Sequence, residues 1–142
     1  MLKLSGVEAV ADAFGGGVKG RRVVEAIQRS DLVLPEVTFS LGDSLTYRST
    51  TRPDCPVLTG HRRYLEVRAV VDGRAVFEVA PLEDLSSSDD YDDLSDRQHF
   101  TGRGAQWELG ADEVLVVAAE EAIRDVLVEG RMVVLRVTVE CR

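Results

Sequence analysis

The stretch PDCPVLTGHRRYLEVRAVVDGRAVFEVAP, residues 53–81, decides the reading of this chain. From Tyr64 to Val71 its residues alternate. Leu65, Val67, Ala69 and Val71 share one face, and Tyr64, Glu66, Arg68 and Val70 share the other, as successive side chains of a strand must. Asp72-Gly73 then reads as a two-residue hairpin turn, with Arg74 to Val79 as the return strand. His61, one of only two histidines in the chain, stands just before the first strand. Alternation alone leaves open which face is core. The Tyr64/Glu66/Arg68 face either meets solvent or lines the inside of a barrel.

Working outward, period two continues on both sides. Leu32, Val37, Phe39, Leu41, Leu45 and Tyr47 fit short strands, with turns at Pro35 and Gly42-Asp43. Residues 84–98, DLSSSDDYDDLSDRQ, form a polar acidic loop. A strand around Trp107 is ambiguous, and Val114 to Ala119 reads as a buried strand. Val126 to Val128, a turn at Glu129-Gly130 and Met132 to Glu140 read as a final hairpin. The first 30 residues differ. Val7, Val10, Ala11 and Phe14, then Val23, Val24 and Ile27, recur at helical spacing around the break Gly15-Gly16-Gly17. The expectation is one domain over 1–142. A helical prelude (1–30) precedes a mainly β barrel or sandwich (31–142) of eight to ten strands.

Composition excludes several classes of function. A net charge of -8 would repel a nucleic-acid backbone or an anionic membrane. The longest apolar run is too short to span a bilayer and no signal peptide is visible, so a cytoplasmic location is expected. Cys55 and Cys141 lack metal or redox spacing. Two histidines without H-x-H or H-E-x-x-H spacing signal a metal site only weakly, through one His with carboxylates. The run Asp89-Asp90-Tyr91-Asp92-Asp93 lacks the calcium-loop positions and reads as solvated, with His99 beside it on the surface.

Several matches that keep one register give a resemblance. They are Thr59-Gly60-His61-Arg62-Arg63-Tyr64-Leu65-Glu66-Val67-Arg68, then Val71-Asp72-Gly73-Arg74-Ala75, then Ala80-Pro81-Leu82, with Tyr91-Asp92 and Asp96 between. Over about 34–140 the chain resembles the YhcH/YjgK/YiaL family, whose core motif runs E-A-H-R-x-Y-I-D-I-Q. The resemblance implies a cupin-like double-stranded β-helix with the N-terminal helices packed outside. It also implies a sugar-binding pocket in the barrel, often beside a metal, which turns Tyr64, Glu66 and Arg68 inward.

The departures shape the expected function. Thr59 stands where the family has Glu, Glu66 where it has Asp, Arg68 where it has Gln, Ala75 where it has Glu, and Arg136 where it has Lys. Ala122 falls where the family has a metal-site His. A first shell so reduced would hold a divalent ion poorly, and Arg68 and Arg136 would favour an anion. No metal and no other cofactor is therefore expected.

The expected function is a diverged sugar or sugar-acid anomerase or isomerase. His61 and Glu66 are its acid–base residues, and Tyr64, Arg68 and Arg136 bind the substrate. Two alternatives stand beside it: a non-catalytic small-molecule-binding or accessory subunit, and a cupin-like catalyst repurposed for specialised metabolism. The expected partner is a polar or anionic small molecule, not nucleic acid or membrane, with a homodimer left open.

Overall fold

The structure, a computed structural model, describes residues 1–29, 35–42 and 45–138. The expectations for Leu32, Asp43, Cys141 and the last residues of the final strand lie outside them. The described chain is mainly β. A short strand β1 (Leu2–Ser5) leads into α1 (Val7–Ala13) and α2 (Val18–Gln28). The strands β2 (Phe39–Leu41), β3 (Leu45–Thr50) and β4 (Thr59–Gly60) precede the long β5 (Tyr64–Pro81). Next come β6 (Ser86–Ser87), β7 (Gln98–Thr101), β8 (Ala105–Gly110), β9 (Glu113–Val117) and the equally long β10 (Glu121–Thr138).

The two long strands correct the sequence reading. Asp72-Gly73 and Glu129-Gly130 are not hairpin turns. β5 and β10 each run on through these residues and pair antiparallel along their whole length, from Glu121 opposite Pro81 to Thr138 opposite Tyr64. Gly73 sits directly opposite Gly130, and the register slips at Arg131/Met132 and again at Asp125/Leu127. Both glycines have positive φ, 76° and 100°. A Cβ on Gly73 would run into the Glu129 carbonyl, and one on Gly130 into the Asp72 carbonyl. The glycines thus let two strands bend together at close approach, the role of glycine at a bulge or barrel corner.

The shared bend makes two leaves. In one, the first half of β5 and the second half of β10 pair with β9 and β3, and β1 and β2 extend the edges. In the other, the second half of β5 pairs with β8, and the first half of β10 with β4, which continues to β7 and β6. All these pairings are antiparallel. The N-terminal segment is not purely helical as read, because Leu2–Ser5 pairs with β9 before the first helix starts.

Alternation then sorts the side chains. Val67, Ala69, Val133, Leu135 and Val137 face outward from the first leaf and pack under Val10, Val23 and Ala26 of the helices. Val70, Met132 and Val134 face the other way and meet Phe77, Val79, Leu109 and Ile123 of the second leaf. Each fully buried Val or Leu side chain contributes about 1.5–3 kcal/mol, so the helical layer is part of the core. The inward face also carries Glu66, Arg68 and Arg136, beside that apolar layer.

Candidate functional site

Glu66 and Arg68 lie two residues apart on β5, so pleating aims both between the leaves. Their side chains are 2% and 0% exposed. Arg136 is the register partner of Glu66 on β10, and its Nε donates to Glu66 Oε1 at 3.0 Å. Arg68 Nη1 donates to Glu66 Oε2. On its other side Arg68 Nε donates to Asp125 Oδ1 at 3.2 Å. Asp125 stands on the second-leaf half of β10, and its Oδ2 accepts the backbone N–H groups of Asp54 and Cys55 at 2.6 and 2.9 Å. Asp54 pairs with Arg48 of β3 and lies within 4.0 Å of both Arg68 and Arg136. The centre between the leaves is therefore a network of three guanidiniums and three carboxylates.

His61 follows β4 and is 3% exposed in its side chain. Its Nδ1 meets the backbone carbonyl of Asp96 at 2.5 Å, which assigns the proton to Nδ1, since a carbonyl only accepts. Its Nε2 lies 2.5 Å from Glu66 Oε1, outside hydrogen-bond geometry, so this buried nitrogen has contact without a well-formed bond. Asp96 is itself fixed. It accepts the backbone N–H groups of Arg62 and Arg63 at 2.9 and 3.0 Å and the Tyr91 hydroxyl, and Arg62 stacks over the Tyr91 ring. The acidic loop thus reaches back to hold His61, although Asp89, Asp90, Asp92 and Asp93 are exposed.

The electrostatics follow from this packing. Burial alone would raise the Glu66 carboxyl, but Arg68, His61 and Arg136 outweigh it and hold it well below the usual carboxylate range. Burial works against the Arg68 charge as well, yet Asp125 and Glu66 hold it raised, so the guanidinium stays protonated. Burial pushes the Cys55 thiol up, leaving it a poor nucleophile. For Asp96, burial is outweighed by the Tyr91 hydroxyl and the amides of Arg62 and Arg63, so its carboxyl is lowered.

The structure brings together four of the five residues expected from sequence: His61, Glu66, Arg68 and Arg136. Tyr64 is half-buried at the end of the same strand face, opposite Thr138. His99 is far more exposed and pairs with Asp89. Sequence reading missed Asp125, Asp54 and Arg48. Asp125 carried a readable signal, the one carboxylate between Ala122 and Val128, where only Arg124 is otherwise charged. Asp54 and Arg48 carried none, because a loop and a distant strand deliver them.

His61 and Glu66 touch one another and leave no gap between them for a substrate atom. A cavity of about 30 Å³, room for about one water, opens beside the network, lined among others by Arg48, Asp54, Val134 and Arg136. The side chains of Arg48 and Arg136 are 29% and 26% exposed, so they form the mouth. Among the described residues no group of three or more His, Cys, Asp or Glu side chains converges as a metal-ligand set. Arg68 fills the space between Glu66, Asp125 and Asp54. Among the same residues no helix is long and apolar enough to cross a membrane.

A scan of the sequence against protein-family models finds no match. Among solved structures, the chain is similar to vicilin from Corylus avellana (hazelnut). Identity is 18% over 66% of this chain and 23% of that one, with a TM-score of 0.37. The chain therefore spans less than a quarter of that protein's length.

Proposed function

We propose that the chain is a cupin-like double-stranded β-helix that binds a small polar or anionic molecule, a sugar acid being the favoured class, at the mouth formed by Arg48 and Arg136. The bent, fully paired strands β5 and β10 and the resemblance around His61 support the fold. One observation carries the binding reading. Two partly exposed guanidiniums flank one mouth, and Asp54, on the irregular segment between β3 and β4, is the carboxylate that stands between them. A ligand carboxylate takes the place of Asp54, forming the same charge-assisted bonds while the segment moves aside. Arg68, with Glu66 and Asp125, forms the floor. No metal takes part, since Arg68 already supplies the positive charge among the carboxylates.

Titration with gluconate and glucuronate, followed by calorimetry, tests this. Arg136→Gln should weaken binding by roughly tenfold or more, the scale of one charge-assisted bond. Asp54→Asn should strengthen it by removing the internal competitor. Binding that ignores both changes would overturn the reading.

A second reading, acid–base isomerisation or anomerisation of such a substrate, is favoured by the Nε2 of His61. That nitrogen is buried against Glu66 without a well-formed hydrogen bond, a poised arrangement for proton transfer once a ligand separates the pair. NMR exchange between sugar-acid anomers decides it. His61→Ala and Glu66→Gln should each slow exchange by about 10²–10⁴-fold. Exchange rates equal to those of the wild type would leave binding alone.

A further inference from the structure

A second cavity, of about 420 Å³, lies on the opposite face of the first leaf. It forms where the helical layer runs out. α2 ends at Gln28, while the outward face of β5 continues to Val71 at the bend. Its walls include Val7 of α1, Ile27 of α2, Val71 of β5 and Val114 of β9. Two charged residues also line it, Arg131 from β10 and Asp112 from the turn between β8 and β9. Neither side chain forms an ion pair with the other or with any other described residue. The backbone N–H of Arg131 is bound to Asp72 Oδ1 at 3.0 Å, and that of Asp112 to the Val70 carbonyl at 2.9 Å, so both residues are anchored through their main chains.

The volume lies within the range of roughly 300–1,000 Å³ found for small-molecule pockets, which join apolar walls to a few placed polar groups. The polar groups here have opposite sign and remain apart. A ligand that filled the apolar part would take water from the half-buried Arg131, and a dehydrated charge without a partner is costly, while the exposed Asp112 stands at the rim. The occupant that complements this lining offers an anion to Arg131, a cation to Asp112 at the rim and a hydrocarbon body to the valines and Ile27.

We propose that this cavity binds a small zwitterion with an aliphatic side chain, of the class of the branched-chain α-amino acids. The site is separate from the mouth at Arg48 and Arg136, and it stands whether or not that mouth binds an anion.

The test uses the full chain, ¹⁵N-labelled, titrated with L-leucine, with 4-methylpentanoate and 3-methylbutylamine as analogues that each keep one charge. Leucine should give saturable shifts at the amides of Val7, Val71 and Val114. Each analogue should bind roughly tenfold more weakly or worse, the scale of one lost charge-assisted bond. Arg131→Gln and Asp112→Asn should each weaken leucine by a similar factor without lowering the melting temperature. Asn tolerates the positive φ of 68° at position 112 as Asp does. Val7→Trp should block binding by filling the cavity while leaving both charges in place. No saturable shift up to about 10 mM, beyond the weakest useful affinity, would overturn the proposal. So would shifts centred on Arg136, or undiminished affinity in Arg131→Gln.

Discussion

Arg68 shows how one side chain decides what the interior can hold. Its guanidinium has no exposure and engages Glu66 and Asp125 at once. Arg68→Gln leaves the buried Asp125 without its cation and Glu66 with Arg136 alone, and we expect a loss of about 3–5 kcal/mol at neutral pH, measured by urea unfolding, as for other buried pairs broken on one side. Glu66 gives the matching pH dependence. Its folded-state carboxyl is held well below the usual range. Its contribution is therefore present above the unfolded value of about 4.3 and fades as pH falls through the folded value. Glu66→Gln should make the protein less stable at pH 7 and flatten the acid limb of its stability curve. An unchanged acid limb would show that other carboxylates set it. The inward aim of Glu66 and Arg68 was legible in the sequence, because alternation fixed that they share a face and the resemblance chose which face turns in. The closure of the network by Asp125, Asp54 and Arg48 was not, because no local pattern records which distant segments meet.

Among the elements, β5 and β10 are where sequence reading and structure part. Asp72-Gly73 has the chemistry of a hairpin turn, and so has Glu129-Gly130. What tells a turn from a bend is the partner strand, and Gly73 faces Gly130, 57 positions further along the chain. β1 escaped notice for a similar reason, since four residues with one polar and one basic side chain carry little period of their own. The helices were legible because helical periodicity is local. Gly73→Ala tests the bend. The substitution places a non-glycine residue at φ 76° and drives a Cβ into the Glu129 carbonyl. We expect it to cost about 1–3 kcal/mol, the range for strained backbone positions. Alanine at Gly110, which opens no such clash, is the control and should cost less.

Across the whole molecule, the net charge of -8 draws cations to the surface, while Arg68 fills the place inside where carboxylates converge. Elemental analysis of protein dialysed against metal-free buffer should therefore find well below one equivalent of zinc, copper, iron or manganese. One metal per chain, lost on His61→Ala, would refute that assignment. The two faces of the first leaf carry separate ligand chemistries in this picture, an anion mouth on the inner face and an amphipathic cavity under the helices. They share the strands β5 and β10, yet each is lined by its own charged residues, Arg131 and Asp112 in one and Arg48, Asp54 and Arg136 in the other.

The pairing of β5 with β10 also bears on how the chain is made. β10 is bonded to β3, β4 and β5, so neither leaf is complete without it. No hairpin joins the two long strands, and closing the intervening loop costs entropy before any contact is gained. During synthesis, then, β5 can pair with β8 and β9 before β10 is made, but the edges of β3, β4 and β5 that β10 covers stay open. High contact order makes the later search slow, on the scale of milliseconds to seconds. Until β10 emerges these open edges are exposed to pairing with other chains, and a synonymous-codon pause just before β10 would prolong that exposure.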